Sequence, residues 1–179
     1  AAAGCGGEVL LRRTDARMLQ SVTALLRQTG CELLEEQDAV LVRKTGKTGI
    51  ISDVKTAAYP GFPTDCQAIL TAALLRAEGE SRIEETVFED RFHHVPELQK
   101  LGAKLKIHHN TVHISGVRTL SGAKLTARDL RGGAALVLAA MQAEGESRVE
   151  GLTHIDRGYE RFAEKLRALG ANIERCFDA

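Results

Sequence analysis

The chain has 179 residues, enough for one well-buried domain or a piece of something larger, and its 24 basic side chains equal its 24 acidic ones. That balance excludes a field drawing the whole protein to nucleic acid or an anionic membrane, so any basic function is local. No apolar run reaches the roughly 18 to 20 residues a membrane span needs, AAAGCGG at the start lacks a signal-peptide pattern, and Cys5, Cys31, Cys66 and Cys176 lack metal or redox spacing; the expectation is a soluble, cytoplasmic protein with reduced thiols.

Taken in chain order, the elements form a repeat. AAAG resembles the tail of a helix, and LRQTGCEL (26–33) followed by DAVLV is a weak copy of patterns that recur later. The middle stretch is the most complete: GIISDV (49–54) has the β-branched content of a strand, and TDCQAILTAALLRAEG has helical spacing with a glycine stop. ESRIEE alternates as a short strand, VPELQKLG is a short helix, and AKLKIH and TVHISG are strands turning at His109 and Asn110. AEGESRIE (77–84) then returns as AEGESRVE (143–150), and LQKLGAKL (98–105) as LRALGANI (166–173). The third copy runs from KLTARDLRGG to ANIERC and stops before its last strand. Three units follow, 1–48 (partial), 49–116 and 117–179, built on a βαβαββ pattern of α/β (α+β) class. A chain cut at both ends of a repeat leaves open strand edges, so the expectation is one incomplete domain of a longer polypeptide. Degenerate caps of a solenoid are the alternative.

Charged residues gather where the long helices begin. Thr64 with Gln67 three residues later fits a capping box, which leaves Asp65 either to complement the helix dipole or to do chemistry in the loop shaped by Pro60, Gly61 and Pro63. Aligning the repeats sets Asp65 opposite Arg131. An arginine in a first turn is disfavoured by the dipole, and it makes sense beside a bound anion, with Gly132 and Gly133 admitting the ligand, or in an ion pair with Asp129 or a more distant acid. EDRFHH and HIDRGYER also match, Asp90-Arg91 with Asp156-Arg157; these are either surface ion pairs or, with Arg161, arginines converging on an anion. His93, His94, His108 and His109 lack zinc spacing, and Cys66 reads as packed rather than nucleophilic.

YPGFPTDCQA, ETVFEDRFHHVPELQKLGA, LSGAKLTARDLRGGAALVLA and THIDRGYERFAEKLRALGANIER together resemble the UDP-N-acetylglucosamine enolpyruvyl transferase (1-carboxyvinyltransferase) family, across essentially the whole chain. The resemblance implies a cytoplasmic two-domain enzyme of peptidoglycan synthesis, each domain packing three βαβαββ units about buried helices as an inside-out α/β barrel. This chain would be most of the domain holding the carboxy terminus. It implies UDP-N-acetylglucosamine and phosphoenolpyruvate as substrates, with no metal or organic cofactor. By the same resemblance Asp65 of FPTD is the proton acceptor at the sugar 3-hydroxyl, Val87 of TVFE contacts the nucleotide-sugar, and Arg131 of DLR and Arg161 of GYER hold phosphoenolpyruvate. Arg91 of EDRF is a further active-site charge, and Asp90 departs from the family's frequent asparagine. The family's catalytic cysteine loop, the target of fosfomycin, and its Lys-Asn pair lie outside these residues, so the fragment alone is expected to be inactive. A shikimate-pathway enolpyruvyl transferase, or a non-catalytic module binding a nucleotide-sugar or protein partner, are the alternatives.

Overall fold

The computed structural model describes residues 1–176, in three consecutive units. The first holds α1 (Ala2–Cys5), β1 (Gly7–Arg12), α2 (Gln20–Gln28), β2 (Glu32–Glu35) and β3 (Ala39–Lys44). The second holds β4 (Val54–Lys55), α3 (Gln67–Ala73), β5 (Glu80–Glu84), α4 (Val95–Lys100), β6 (Lys104–His108) and β7 (Thr111–Ser115), the complete βαβαββ order. The third holds β8 (Lys124–Thr126), α5 (Leu130–Ala140), β9 (Arg148–Glu150), α6 (Thr153–Asp156) and α7 (Phe162–Ala168).

Each unit builds its own sheet: β1–β3–β2, β4–β5–β7–β6, and β8–β9. The pairs β4–β5 and β8–β9 are parallel, which requires a crossover rather than a hairpin. That crossover is α3 in one unit and α5 in the next, so the repeat read from the sequence is a repeat of topology. Helices α1, α3 and α5 touch one another in the interior. Ala72, Ala135 and Ala139 have no exposed surface there, because small side chains let helix backbones approach. Gln142, just after α5, joins this packing by donating from Nε2 to the carbonyls of Ala72 (2.9 Å) and Leu138 (3.1 Å). Leu74, Leu98, Leu101, Leu125 and Leu136, all buried, fill the space between helices and sheets, each contributing about 1.5–3 kcal/mol by leaving water. No helix among the described residues is long and apolar enough to cross a membrane.

Several element boundaries differ from expectation. The strand expected over 49–54 is reduced to Val54–Lys55. Ile51 is buried at 1% exposure and its N–H goes to Ser81 Oγ at 3.0 Å, so its β-branched side chain serves packing instead of a ladder. The helix expected to run to Gly79 begins as a 3₁₀ turn, Thr64–Cys66, and α3 ends at Ala73. The chain leaving β7 explains this early stop: the Val117 N–H takes the Leu75 carbonyl at 2.9 Å, and the Gly116 N–H takes that of Gly79. HIDRGYER overlaps the end of α6, with Arg157 at the cap of α6 and Arg161 at that of α7. ANIERC forms no strand.

Lys44, at the end of β3, shows how the first unit closes. Its side chain is buried, and Nζ donates to the carbonyls of Lys47 and, at 3.4 Å each, of Thr45 and Gly46. Lys44→Met is expected to lower unfolding stability by about 1.5–3 kcal/mol, the range for hydrogen bonds to charged groups. Urea unfolding checks this, and a change below about 0.5 kcal/mol would mean that water replaces the ammonium.

Candidate active site

The loop before α3 is pinned at both ends. The Ala57 N–H donates to the Phe62 carbonyl and the Gly61 N–H to that of Ala58, both at 2.8 Å. Phe62 is buried while Tyr59 is exposed. This anchoring delivers Thr64 and Asp65 to a rim. The capping box does not form there: Gln67 is fully buried and its Nε2 faces Thr71 Oγ1 at 3.4 Å. The Thr64 hydroxyl is used elsewhere, donating to Glu85 Oε2 at 2.7 Å and accepting from Arg91 Nη1 at 3.2 Å.

Asp65 is half exposed and lies between two guanidinium groups. Its Oδ2 accepts from Arg131 Nη2 at 2.8 Å and its Oδ1 from Arg91 Nη1 at 3.3 Å. Arg131 stands in the first turn of α5, where Asp129 is the cap, accepting from the Gly132 N–H at 2.7 Å. Asp129 is therefore not the partner of Arg131; the more distant acid is Asp65. The other end of the guanidinium, Nη1, donates to the Tyr159 hydroxyl at 3.0 Å. The Asp65 hydrogen bond is the main cause raising the Arg131 pKa above that of an ordinary arginine, with Tyr159 adding to it against burial. Gly132 and Gly133 do not leave room for a ligand as expected. A side chain at Gly132 would meet the Asp129 carboxylate, and one at Gly133 would meet Ile155 of α6, so both glycines serve internal packing. The starts of α3 and α5 nevertheless open onto one rim, around a cavity of about 110 Å³ walled by Thr64, Gln67, Arg91, His94, Asp129 and Arg131.

Glu85 ties this rim to the next loop. The alternation of β5 buries Ser81 and Ile83, and carried one residue past the strand it buries Glu85 as well. Glu85 is 2% exposed and accepts from Thr56 Oγ1 (2.8 Å), Thr64 Oγ1 (2.7 Å) and the N–H groups of Val87 (2.9 Å) and Phe88 (3.2 Å). Burial works against its charge, but these hydrogen bonds outweigh burial and hold its pKa below the ordinary 4.5. Val87 and Phe88, fixed in this way, are exposed beside Ile107 in a second, wider groove of about 820 Å³. The Arg91 guanidinium stacks over Phe88, with Cζ 4.8 Å from the ring centre.

Of the two readings of the Asp-Arg motifs, adjacent ion pairs do not form. Asp90 has φ 51°, a left-handed conformation that aspartate and asparagine tolerate best, and its carboxylate faces His93 Nε2 at 3.5 Å. Asp156 pairs with Arg175 at 2.6 Å. Arg91 and Arg131 are brought together, whereas Arg161 starts α7 with its side chain largely exposed and turned to Glu164. Arg157 lies exposed at the end of α6. Cys66, partly buried, has its thiol pKa pushed up by burial, which opposes an activated nucleophile. His94 is 3% exposed; burial drives its pKa down to about 4, against the pull of Asp129 and with the help of His93 and Arg91, and leaves it neutral. Glu85, Tyr159, Gln67 and His94 were not singled out by sequence reasoning as parts of this site. Period-2 counting along ESRIEE carries the signal for Glu85. The GYER stretch drew attention to its arginine, whereas in the structure its tyrosine meets Arg131.

An exposed carboxylate flanked by guanidinium groups can accept a proton next to a clamp for phosphate or carboxylate. Buried central helices wrapped by small sheets, with this cluster at the helix starts, define the α/β fold of the enolpyruvyl transferases. The profile of the EPSP synthase (3-phosphoshikimate 1-carboxyvinyltransferase) family matches residues 1–166, and the chain belongs to that family. It is 49% identical over 174 residues to UDP-N-acetylglucosamine 1-carboxyvinyltransferase 2 of Carboxydothermus hydrogenoformans, covering 96% of this chain and 41% of that protein. It is 50% identical over 175 residues to UDP-N-acetylglucosamine 1-carboxyvinyltransferase of Salmonella typhimurium, covering 98% of this chain and 42% of the relative. The chain thus spans about two fifths of the length of the curated relatives it matches. Among solved structures, the enolpyruvyl transferase NikO from Streptomyces tendae superposes with a TM-score of 0.86 at 27% identity, over 97% of this chain and 42% of that one. EPSP synthase from Acinetobacter baumannii shares the fold, with a TM-score of 0.78 at 16% identity over 98% of this chain and 45% of that one.

Proposed function

We propose that this chain is part of a cytoplasmic enzyme that transfers the enolpyruvyl group of phosphoenolpyruvate to the 3-hydroxyl of UDP-N-acetylglucosamine, the entry step of peptidoglycan synthesis. The observation that carries the reading is Asp65 held at the rim between Arg91 and Arg131. The names of relatives at 49% and 50% identity support the choice of acceptor sugar.

In this reading the sugar oxygen attacks C2 of phosphoenolpyruvate while C3 gains a proton, giving a tetrahedral adduct. Loss of phosphate from C2 and of a proton from C3 then restores the double bond. Asp65 takes the hydroxyl proton within hydrogen-bond reach. Arg91 and Arg131 turn from Asp65 toward the anionic substrate and stabilise its charge. Val87, on the groove beside the rim, contacts the nucleotide-sugar. Arg161 reaches phosphoenolpyruvate only by leaving Glu164. A second domain, carrying the cysteine loop that protonates C3, closes over the rim and excludes water; without it the 179-residue chain does not turn over.

The test is phosphate release by the full-length protein. Release from phosphoenolpyruvate is expected only with UDP-N-acetylglucosamine present. Release with shikimate 3-phosphate instead would reassign the acceptor, and no release with either would favour a binding module.

A further inference from the structure

The outer face of the first sheet carries leucines where the repeat does not require them. Val40 and Val42 of β3 point into the core, so Leu41 faces outward, with Leu10 of β1 and Leu34 of β2 beside it in register. Leu10 is 47% exposed and Leu34 51%. Together they form one apolar row across the sheet. The second unit supplies the comparison. LRQTGCELLEEQDAVLVRK (26–44) aligns without a gap on LQKLGAKLKIHHNTVHISG (98–116), so Leu34 and Leu41 take the places of Lys106 and His113. Strand pairing puts Leu10 at the place of Arg82. The same row is therefore polar in one unit and apolar in the other. The outer face of a half-buried antiparallel sheet is ordinarily polar, and a contiguous apolar stripe on it marks a contact surface.

The charges on either side of the row indicate what covers it. On one side Arg43 Nε donates to Glu8 Oε2 at 2.6 Å and Nη1 to Glu32 Oε2 at 3.0 Å, two acids for one arginine. On the other side Arg12 is exposed, two residues on from Leu10 along β1. A two-fold axis running along the leucine row, midway between two stacked copies, sets each leucine opposite itself and exchanges the flanking rows. Glu8 of each copy then lies opposite Arg12 of the other. On β2 the same operation sets Glu32 opposite Glu36, and Arg43 offsets that repulsion through its bond to Glu32. Sheets stacked in this way lie about 10 Å apart, a gap that a glutamate and an arginine span together.

We propose that this face is a self-complementary interface that docks a second copy of the chain, leucine row on leucine row, with Glu8 on Arg12 in two symmetric ion pairs. The row is small beside the roughly 800 Å² per partner of stable interfaces, so the dimer is weak and forms only as concentration rises.

Sedimentation velocity of the full-length protein, at concentrations up to about 0.5 mM, is expected to show a monomer–dimer equilibrium. Leu10→Arg and Leu34→Lys install the residues of the second unit. Each should raise the dissociation constant about tenfold or more, because a two-fold interface uses each leucine twice. Leu34→Thr repeats the test if the charged variants do not fold. Glu8→Arg and Arg12→Glu should each weaken self-association about threefold or more, since like charges then face across the axis. An equimolar mixture of these two variants should associate again, because arginines at positions 8 and 12 of one copy face glutamates of the other. A monomer at every concentration overturns the proposal in favour of cover by the rest of the polypeptide. Dimers that survive the leucine substitutions overturn it by placing the interface elsewhere. Dimers lost with the leucines but not restored in the mixture overturn the two-fold arrangement.

Discussion

Replacing Asp65 with asparagine is expected to slow turnover of the full-length enzyme by about 10²- to 10⁴-fold, the usual worth of a positioned acid or base, with the affinity for UDP-N-acetylglucosamine changed by less than about threefold. Asparagine keeps one oxygen to accept from Arg131 or Arg91, so the rim retains its shape while losing the carboxylate. The Asp65 carboxylate is spread over two guanidinium groups, at 2.8 and 3.3 Å, and an incoming anion competes for both. In the proposed reaction, anion binding and release of the Asp65 carboxylate are the same rearrangement. Steady-state kinetics decide the point: a large loss of affinity with unchanged kcat would assign Asp65 to binding instead of proton transfer.

The largest stability effect is expected at Glu85. Glu85→Ala leaves two hydroxyls and two backbone N–H groups without their acceptor, at a cost of about 3 kcal/mol or more in unfolding free energy, given roughly 1–3 kcal/mol for each unmet buried group and partial rescue by water. Glu85→Gln, which keeps one carbonyl oxygen, should cost less. Urea unfolding of the three proteins gives the ranking, and an alanine variant within about 1 kcal/mol of wild type would contradict it.

The pH dependence has a definite sign. The folded-state pKa of Glu85 is depressed below 4.5, so its contribution is fully present above 4.5 and is lost as pH falls through the folded value. His94 adds a loss at higher pH. Unfolded, it takes a proton near 6.5; folded, only near 4; hence stability declines as pH drops from about 6.5 toward 4. His94→Gln should flatten the upper part of that decline.

What could be read in advance was whatever repeats or alternates. The AEGESR copies identified α3 and α5 as equivalent helices and set Asp65 opposite Arg131 in the repeat; that the two side chains meet, across 66 residues, is visible only in the structure. Alternation in ESRIEE and the turn at His109 gave β5, β6 and β7 nearly to the residue. Local rules failed where a distant group took over. Thr64 and Gln67 have the spacing of a capping box, but Glu85 and Arg91 claim the threonine and burial claims the glutamine. Adjacent Asp and Arg in DR motifs suggested pairs, but Arg91 reaches back to Asp65 and Asp156 waits for Arg175. The end of α3 was hidden because its stop signal is the Val117 N–H, arriving from 42 residues farther along the chain.

The site draws its residues from two units. Asp65 and Arg91 belong to the unit whose described sheet is β4–β5–β7–β6, whereas Arg131 and Tyr159 belong to the unit of β8 and β9. The Asp65–Arg131 contact therefore ties the two units together at the rim, as the packing of α3 against α5 ties them in the interior. A substitution that breaks this ion pair loosens a joint between repeats as well as a candidate site.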